Sequence, residues 1–121
     1  MKFHLSTPTG NVVTGQGQGW VRIGTREHHA SLVLTADTVA GGFAPGGFDA
    51  LTEADFAALL PYGPEIVLLG TGATLRFPHP RLVRALAEAG VGLEVMDTAA
   101  ACRTFNILAA EGRKVVAALL L

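Results

Sequence analysis

The chain has 121 residues, 9 basic against 10 acidic side chains for a formal net charge of −1, and 50% hydrophobic residues. The length suits one domain of about 100–150 residues, the apolar share excludes a disordered chain, and the near-neutral charge argues against a dedicated nucleic-acid binder. The single Cys forbids an intramolecular disulfide, so packing alone must hold the fold.

Met1 to Pro8 has neither the apolar core of a secretory signal nor the Arg-rich amphipathic pattern of a transit peptide. The longest apolar run, Val115 to Leu121, falls far short of the ~20 residues a membrane helix needs. The expectation is a cytoplasmic protein that does not span a membrane. Gly15-Gln16-Gly17-Gln18-Gly19 reads as a flexible, turn-forming stretch. Trp20–Ile23 alternates apolar and charged residues, as a half-buried strand does. Gly24-Thr25-Arg26-Glu27 can turn the chain, and Leu32–Thr35 reads as a second strand, antiparallel neighbour of the first. Val39 to Phe48, with Gly41-Gly42 and Pro45-Gly46-Gly47, reads as loop.

The second half changes rhythm. Thr52 ahead of Glu53-Ala54-Asp55 is a capping-box pattern, with Leu51 and Phe56 placed to staple the chain entry. This helix is expected to reach about Leu60 and stop before Pro61. Ile66-Val67-Leu68-Leu69 reads as a strand covered on both faces, followed by a Gly70-Thr71-Gly72 loop. Pro80 opens a second helix, with Leu82, Val83 and Leu86 on one face and a stop at Gly90. Val91–Met96 is another strand. Thr98 caps a third helix over about Ala99 to Glu111, closed by Gly112, and Val115–Leu120 is a final buried strand. Strand and helix alternation over this half predicts an α/β domain with helices packed on a sheet.

Two segments carry candidate chemistry. Leu69–Ala73 leaves the carboxyl end of a buried strand, where open α/β sheets bind ligands and glycine amides can approach an anion. It is neither Gly-x-Gly-x-x-Gly nor followed by Gly-Lys-Ser/Thr; the nearest cations are Arg76 and Arg81, and a tight turn explains it equally. Asp97–Asn106 begins a helix, whose amino end attracts anions. Cys102 near its first turn, beside Arg103, fits a thiol of lowered pKa; the plainer reading is a small buried thiol. His4, His28, His29 and His79 give no general-base signature, and neither they nor Cys102 form a metal motif. Glu53 and Asp55 belong to the helix cap, Asp97 complements a helix dipole, and Glu65, Glu88, Glu94 and Glu111 are scattered. The candidate ligand site is therefore Gly70, Thr71, Gly72, Thr98, Cys102 and Arg103, with no catalytic set, metal or cofactor assigned.

The blocks Ile66-Val67-Leu68-Leu69-Gly70-Thr71-Gly72, Asp97-Thr98-Ala99-Ala100-Ala101-Cys102-Arg103-Thr104-Phe105-Asn106 and Glu111–Leu120 together closely resemble the Mth938-like domain family. That family includes mitochondrial complex I assembly factor three and the adipogenesis-associated Mth938-domain protein. The resemblance covers nearly the whole chain. It implies one three-layer domain with a mixed central sheet, flanking helices and an antiparallel amino-terminal region. It implies no enzyme activity, and for eukaryotic relatives a role in assembly through protein contacts.

Two functional expectations follow. The first is a non-enzymatic protein-interaction or assembly module with a protein partner, its apolar patch supplied by Trp20, Phe43 and Phe48 beside Gly-rich loops. The second is a small anionic-ligand binder or thiol-dependent enzyme, its site between Gly70–Gly72 and the helix start at Thr98–Arg103.

Overall fold

A computed structural model describes residues 10–121; the reading of Met1 to Pro8, and His4, lie outside the described residues. The layers follow from side-chain alternation in the most apolar strands. Every residue of Val115–Leu120 (β8) is buried. Val115, Ala117 and Leu119 enter one core, while Val116, Ala118 and Leu120 enter another on the opposite face. Ile66–Thr71 (β6) behaves alike, sending Leu68 to the first core and Val67 and Leu69 to the second. Strands this apolar need cover on both sides, which only the centre of a sheet provides.

The central sheet has five strands. β6 lies parallel to β8 on one side and to Gly92–Met96 (β7) on the other. Leu32–Leu34 (β4) runs antiparallel to β8, and Val39–Gly41 (β5) antiparallel to β4 at the edge. One face is covered by helix Glu53–Ala57 (α1) and helix Arg84–Glu88 (α2), with Phe43, Leu51, Phe56, Leu59 and Leu86 in the second core. The other face is covered by helix Thr98–Ala110 (α3), which buries Ala101, Cys102 and Phe105. A small antiparallel sheet of Val13–Gly17 (β1), Trp20–Ile23 (β2) and Arg26–His28 (β3) completes this layer, adding Val13, Val21 and Ile23 to the first core. The result is a mixed α/β fold of three layers, as the resemblance implied.

Local signals hold where they are local. Thr52 and Asp55 form the reciprocal cap: the Thr52 N–H donates to Asp55 Oδ2 at 2.8 Å and the Asp55 N–H to Thr52 Oγ1 at 3.3 Å. Gly90 and Gly112 adopt φ of 73° and 78°, the left-handed region that ends a helix. Several expectations need correction. Trp20–Ile23 and Leu32–Leu34 are not neighbours but lie in different sheets. β2 finds its partners across short turns on either side, whereas β4 is buried at all three positions and needs the central sheet. Gly15–Gly17 belongs to β1, leaving only Gln18 and Gly19 as the turn. The expected loop at Val39 to Phe48 contains β5 and leads into a 3-10 turn at Phe48–Ala50. α1 stops at Ala57; Pro61 lies within a separate 3-10 turn, Leu60–Tyr62, whose open amino end needs no proline N–H. Pro80 likewise opens a 3-10 turn, Pro80–Val83, rather than α2 itself.

One side chain ties the small sheet to α3. Asn106 Oδ1 accepts the Val13 N–H at 2.9 Å and Asn106 Nδ2 donates to the Val13 carbonyl at 2.8 Å. The carboxamide thus takes the place of a neighbouring strand. Replacement of Asn106 by Ala leaves both Val13 backbone groups unpaired; we expect a loss of about 1–3 kcal/mol in urea unfolding. Amide exchange is expected to quicken in β1 and β2 before it does in β6 and β8.

Candidate functional site

The candidate residues converge on the carboxyl edge of the central sheet, but not as a free glycine loop. Gly70 and Thr71 are the last two residues of β6, and only Gly72 lies beyond it, at φ 93°. Gly70 has a steric role. A Cβ there would stand 3.0 Å from Thr98 Cα, 3.0 Å from Thr98 Oγ1 and 3.2 Å from the Ala101 methyl. The missing side chain is what lets α3 lie against the strand.

Thr98 occupies the contact. It is buried, its Oγ1 donates to the Leu120 carbonyl at 2.6 Å and accepts the Gly72 N–H at 2.8 Å, and its own N–H donates to the Gly72 carbonyl at 2.9 Å. With Thr98 so committed, Asp97 caps α3 in place of the expected Thr98. Asp97 Oδ1 accepts the Ala100 N–H at 2.8 Å and its carbonyl accepts the Ala101 N–H at 2.9 Å. Thr71 acts outward. Its Oγ1 donates to the Thr74 carbonyl at 2.7 Å and accepts the Arg76 N–H at 3.1 Å, fixing the chain after β6.

Cys102 lies in the second turn of α3 and is 2% exposed. Burial pushes its thiol pKa up to about 11, against the opposing pull of Arg103. At neutral pH it is a protonated thiol inside the core. Arg103 is exposed.

Two concavities border these residues. The larger, about 620 Å³, lies between the β1–β2 hairpin tip, Gly72, Ala73, the start of α3 and the chain end at Leu120 and Leu121. Gly72 and Thr98 thus share one concavity. Cys102 and Arg103 border a different one of about 240 Å³, beside β1 and Asn106. Sequence reasoning missed Gln16 and Gln18 of the hairpin tip, which line the larger concavity, because no local pattern links a hairpin to strand ends so distant in the chain.

The apolar surface also differs from expectation. Phe43 is buried. Phe48 is half-buried beneath the Arg76 guanidinium, 4.1 Å from its ring centre, and Trp20 is half-buried with Arg22 at 5.9 Å. The large exposed side chains of this region are Leu75 and Phe77, at 51% and 72% exposure. No local pattern separates them from core residues. No helix among the described residues is long and apolar enough to cross a membrane.

Residues 13–120 match the family described as a protein of unknown function, DUF498/DUF598. The chain belongs to that family. A solved structure of a Bordetella pertussis protein described as an Mth938-like domain superposes with a TM-score of 0.74 at 32% identity, covering 99% of this chain and 92% of that one. A crystal structure of a Bordetella parapertussis protein gives a TM-score of 0.81 at 38% identity, over 95% and 98% of the two chains. An uncharacterized protein of Rhodobacter capsulatus is 36% identical over 110 residues, 89% of this chain and 82% of its own. The mouse NADH dehydrogenase [ubiquinone] 1 alpha subcomplex assembly factor 3 is 40% identical over 77 residues, 62% of this chain. The match spans only 42% of that assembly factor's length.

Two predictions test this reading of the site as a lock. Gly70→Ala is expected to destabilise the domain by about 1–3 kcal/mol, because its Cβ meets backbone that cannot rotate away. Thr98→Val keeps the shape but strips partners from the Gly72 N–H and the Leu120 carbonyl, and is expected to cost a similar amount, about 2 kcal/mol, by denaturant unfolding. Cys102 yields a pH test. Its thiol is protonated in both folded and unfolded chains below pH 9, the ordinary value, so its contribution is fully present there. Between pH 9 and about 11 the unfolded chain sheds the proton while the folded chain keeps it, so stability falls as pH rises. The urea midpoint of the wild type is therefore expected to drop more steeply over that window than that of Cys102→Ala.

Proposed function

We propose that this domain is a non-enzymatic protein-interaction or assembly module. One observation carries the reading. The groups that an anionic substrate would need at the sheet edge are already bonded to one another: the Gly72 and Thr98 amides to each other's residues, the Ala100 amide to Asp97. A thiol protonated at neutral pH adds no nucleophile. The partial likeness to assembly factor 3 supports the same reading.

A second reading rests on the larger concavity. A small anionic ligand, or the substrate of a thiol-dependent enzyme, would sit between Gly70–Gly72 and Thr98–Arg103, where Ala99 of the first turn of α3 lines the concavity and its amide has no intrahelical partner. Cys102 and Arg103 would have to be reached from the neighbouring concavity.

The two separate in one pair of measurements. Tagged chain from its native cell is expected to bring down a reproducible protein, which when purified alone binds the chain stoichiometrically by calorimetry. Inorganic phosphate, pyrophosphate and citrate are expected to leave its melting temperature unchanged, and native Cys102 to resist alkylation by iodoacetamide at pH 8. A melting shift with any of these anions, together with no reproducible partner, reverses the order of the two readings.

A further inference from the structure

The chain after β6 is held in place, and what it holds outward is apolar. Thr71 Oγ1 clamps the Thr74 carbonyl and the Arg76 N–H. The Arg76 guanidinium, itself exposed, lies over the Phe48 ring at 4.1 Å and donates to Asp49 Oδ1 at 2.7 Å. On either side of the tethered Arg76, Leu75 and Phe77 are exposed to solvent, and Pro78 stiffens the exit. A flexible loop would let such side chains fold back onto the surface. This loop spends several contacts on preventing that. A large aromatic held rigidly in water costs hydration and recovers it only on burial against something else.

The charge around it indicates what that something carries. Gly72 to Ala87 contains three Arg and one His and no acidic residue. Asp49 pairs with Arg76 and Glu53 pairs with Arg84, whereas Arg81 is exposed and makes no salt bridge among the described residues. Glu88 also acts on Arg84, so Arg81, four residues beyond Phe77, is the one Arg of this segment with no carboxylate partner among the described residues.

We propose that the Leu75–Phe77 loop is a preformed docking element for a protein partner that offers an apolar pocket of aromatic size bordered by carboxylates facing Arg81. This rests on the interaction-module reading and adds the surface and the chemistry of the partner. A rigid anchor loses little entropy on binding, and the unpaired Arg81 favours a carboxylate on the partner and fixes its orientation.

The test places a photoreactive residue in the loop, Phe77→p-benzoylphenylalanine, in the native cell, and the protein cross-linked there is then purified. Its affinity for wild-type chain is compared with that for Phe77→Ser, Leu75→Ser and Arg81→Glu. All three positions are exposed, so each variant is expected to melt as the wild type does. Support consists of a weakening of about 10-fold or more with Phe77→Ser. It also requires a smaller, salt-sensitive weakening with Arg81→Glu that is restored by reversing a carboxylate on the partner. A partner that binds Phe77→Ser and Arg81→Glu as tightly as wild type overturns the loop while leaving the module reading intact. A wild type with no partner at all overturns both. Two other results overturn the loop's assignment to a protein: Phe77-dependent sedimentation with vesicles containing 30% phosphatidylserine, and cross-links only between copies of this chain.

Discussion

The fold depends on the contact between α3 and β6 at Gly70. A helix and a buried strand ordinarily keep side chains between them. Here a residue without a Cβ meets Thr98 Cα, and the helix starts almost on the strand. Close approach brings the Thr98 hydroxyl within reach of two backbone groups from different strands, the Gly72 N–H and the Leu120 carbonyl. One side chain thereby gathers the exit of β6, the end of β8 and the start of α3. Each of these groups is buried or nearly so, and each would cost desolvation energy if left unpaired.

With its start fixed, the helix positions everything on its inner face. Cys102 and Phe105 drop into the first core. Asn106 follows eight residues after Thr98, about 12 Å further along the axis at 1.5 Å per residue. There it meets β1 and holds it by both amide groups. The small sheet is therefore docked at one end of a ruler whose other end is Gly70. Gly70 at the strand end and Cys102 near the helix start, both candidate site residues from sequence, are both packed within this spacing.

The sequence was readable where the cause lay within a few residues. The Thr52–Asp55 cap, the apolar runs of β6 and β8 and the helix stops at Gly90 and Gly112 each need only local chemistry, and the family resemblance supplied the three-layer arrangement. What it concealed was set by distant partners. Strands as short as β3 and β5 have three residues each and no period to detect. Gly70 reads from sequence as an anion-facing amide or a tight turn, and its close contact with the helix depends on Thr98 in another element. Asp97 and Thr98 are both good capping residues side by side. The cap went to Asp97 because the Thr98 hydroxyl found two backbone partners 22 and 26 residues away. The exposure of Phe77 was equally hidden, since nothing near it says that Arg76 will bond to Asp49, 27 residues earlier.

Two threonines divide the sheet edge between them. Thr98 turns inward and spends the backbone donors that face α3. Thr71, adjacent to the glycine, turns its hydroxyl on the following loop and orders it away from the core. At the edge where many α/β folds bind a ligand, the Thr98 hydroxyl and the Gly72 and Thr98 amides are here bonded to one another, beside the larger concavity. The same strand end also fixes the segment bearing Phe77, more exposed than any other large hydrophobic side chain of the described residues. Rigidity at a ligand site serves to orient a few polar groups. Rigidity beneath an exposed Phe orients apolar area, and its energetic return comes only when another surface covers it.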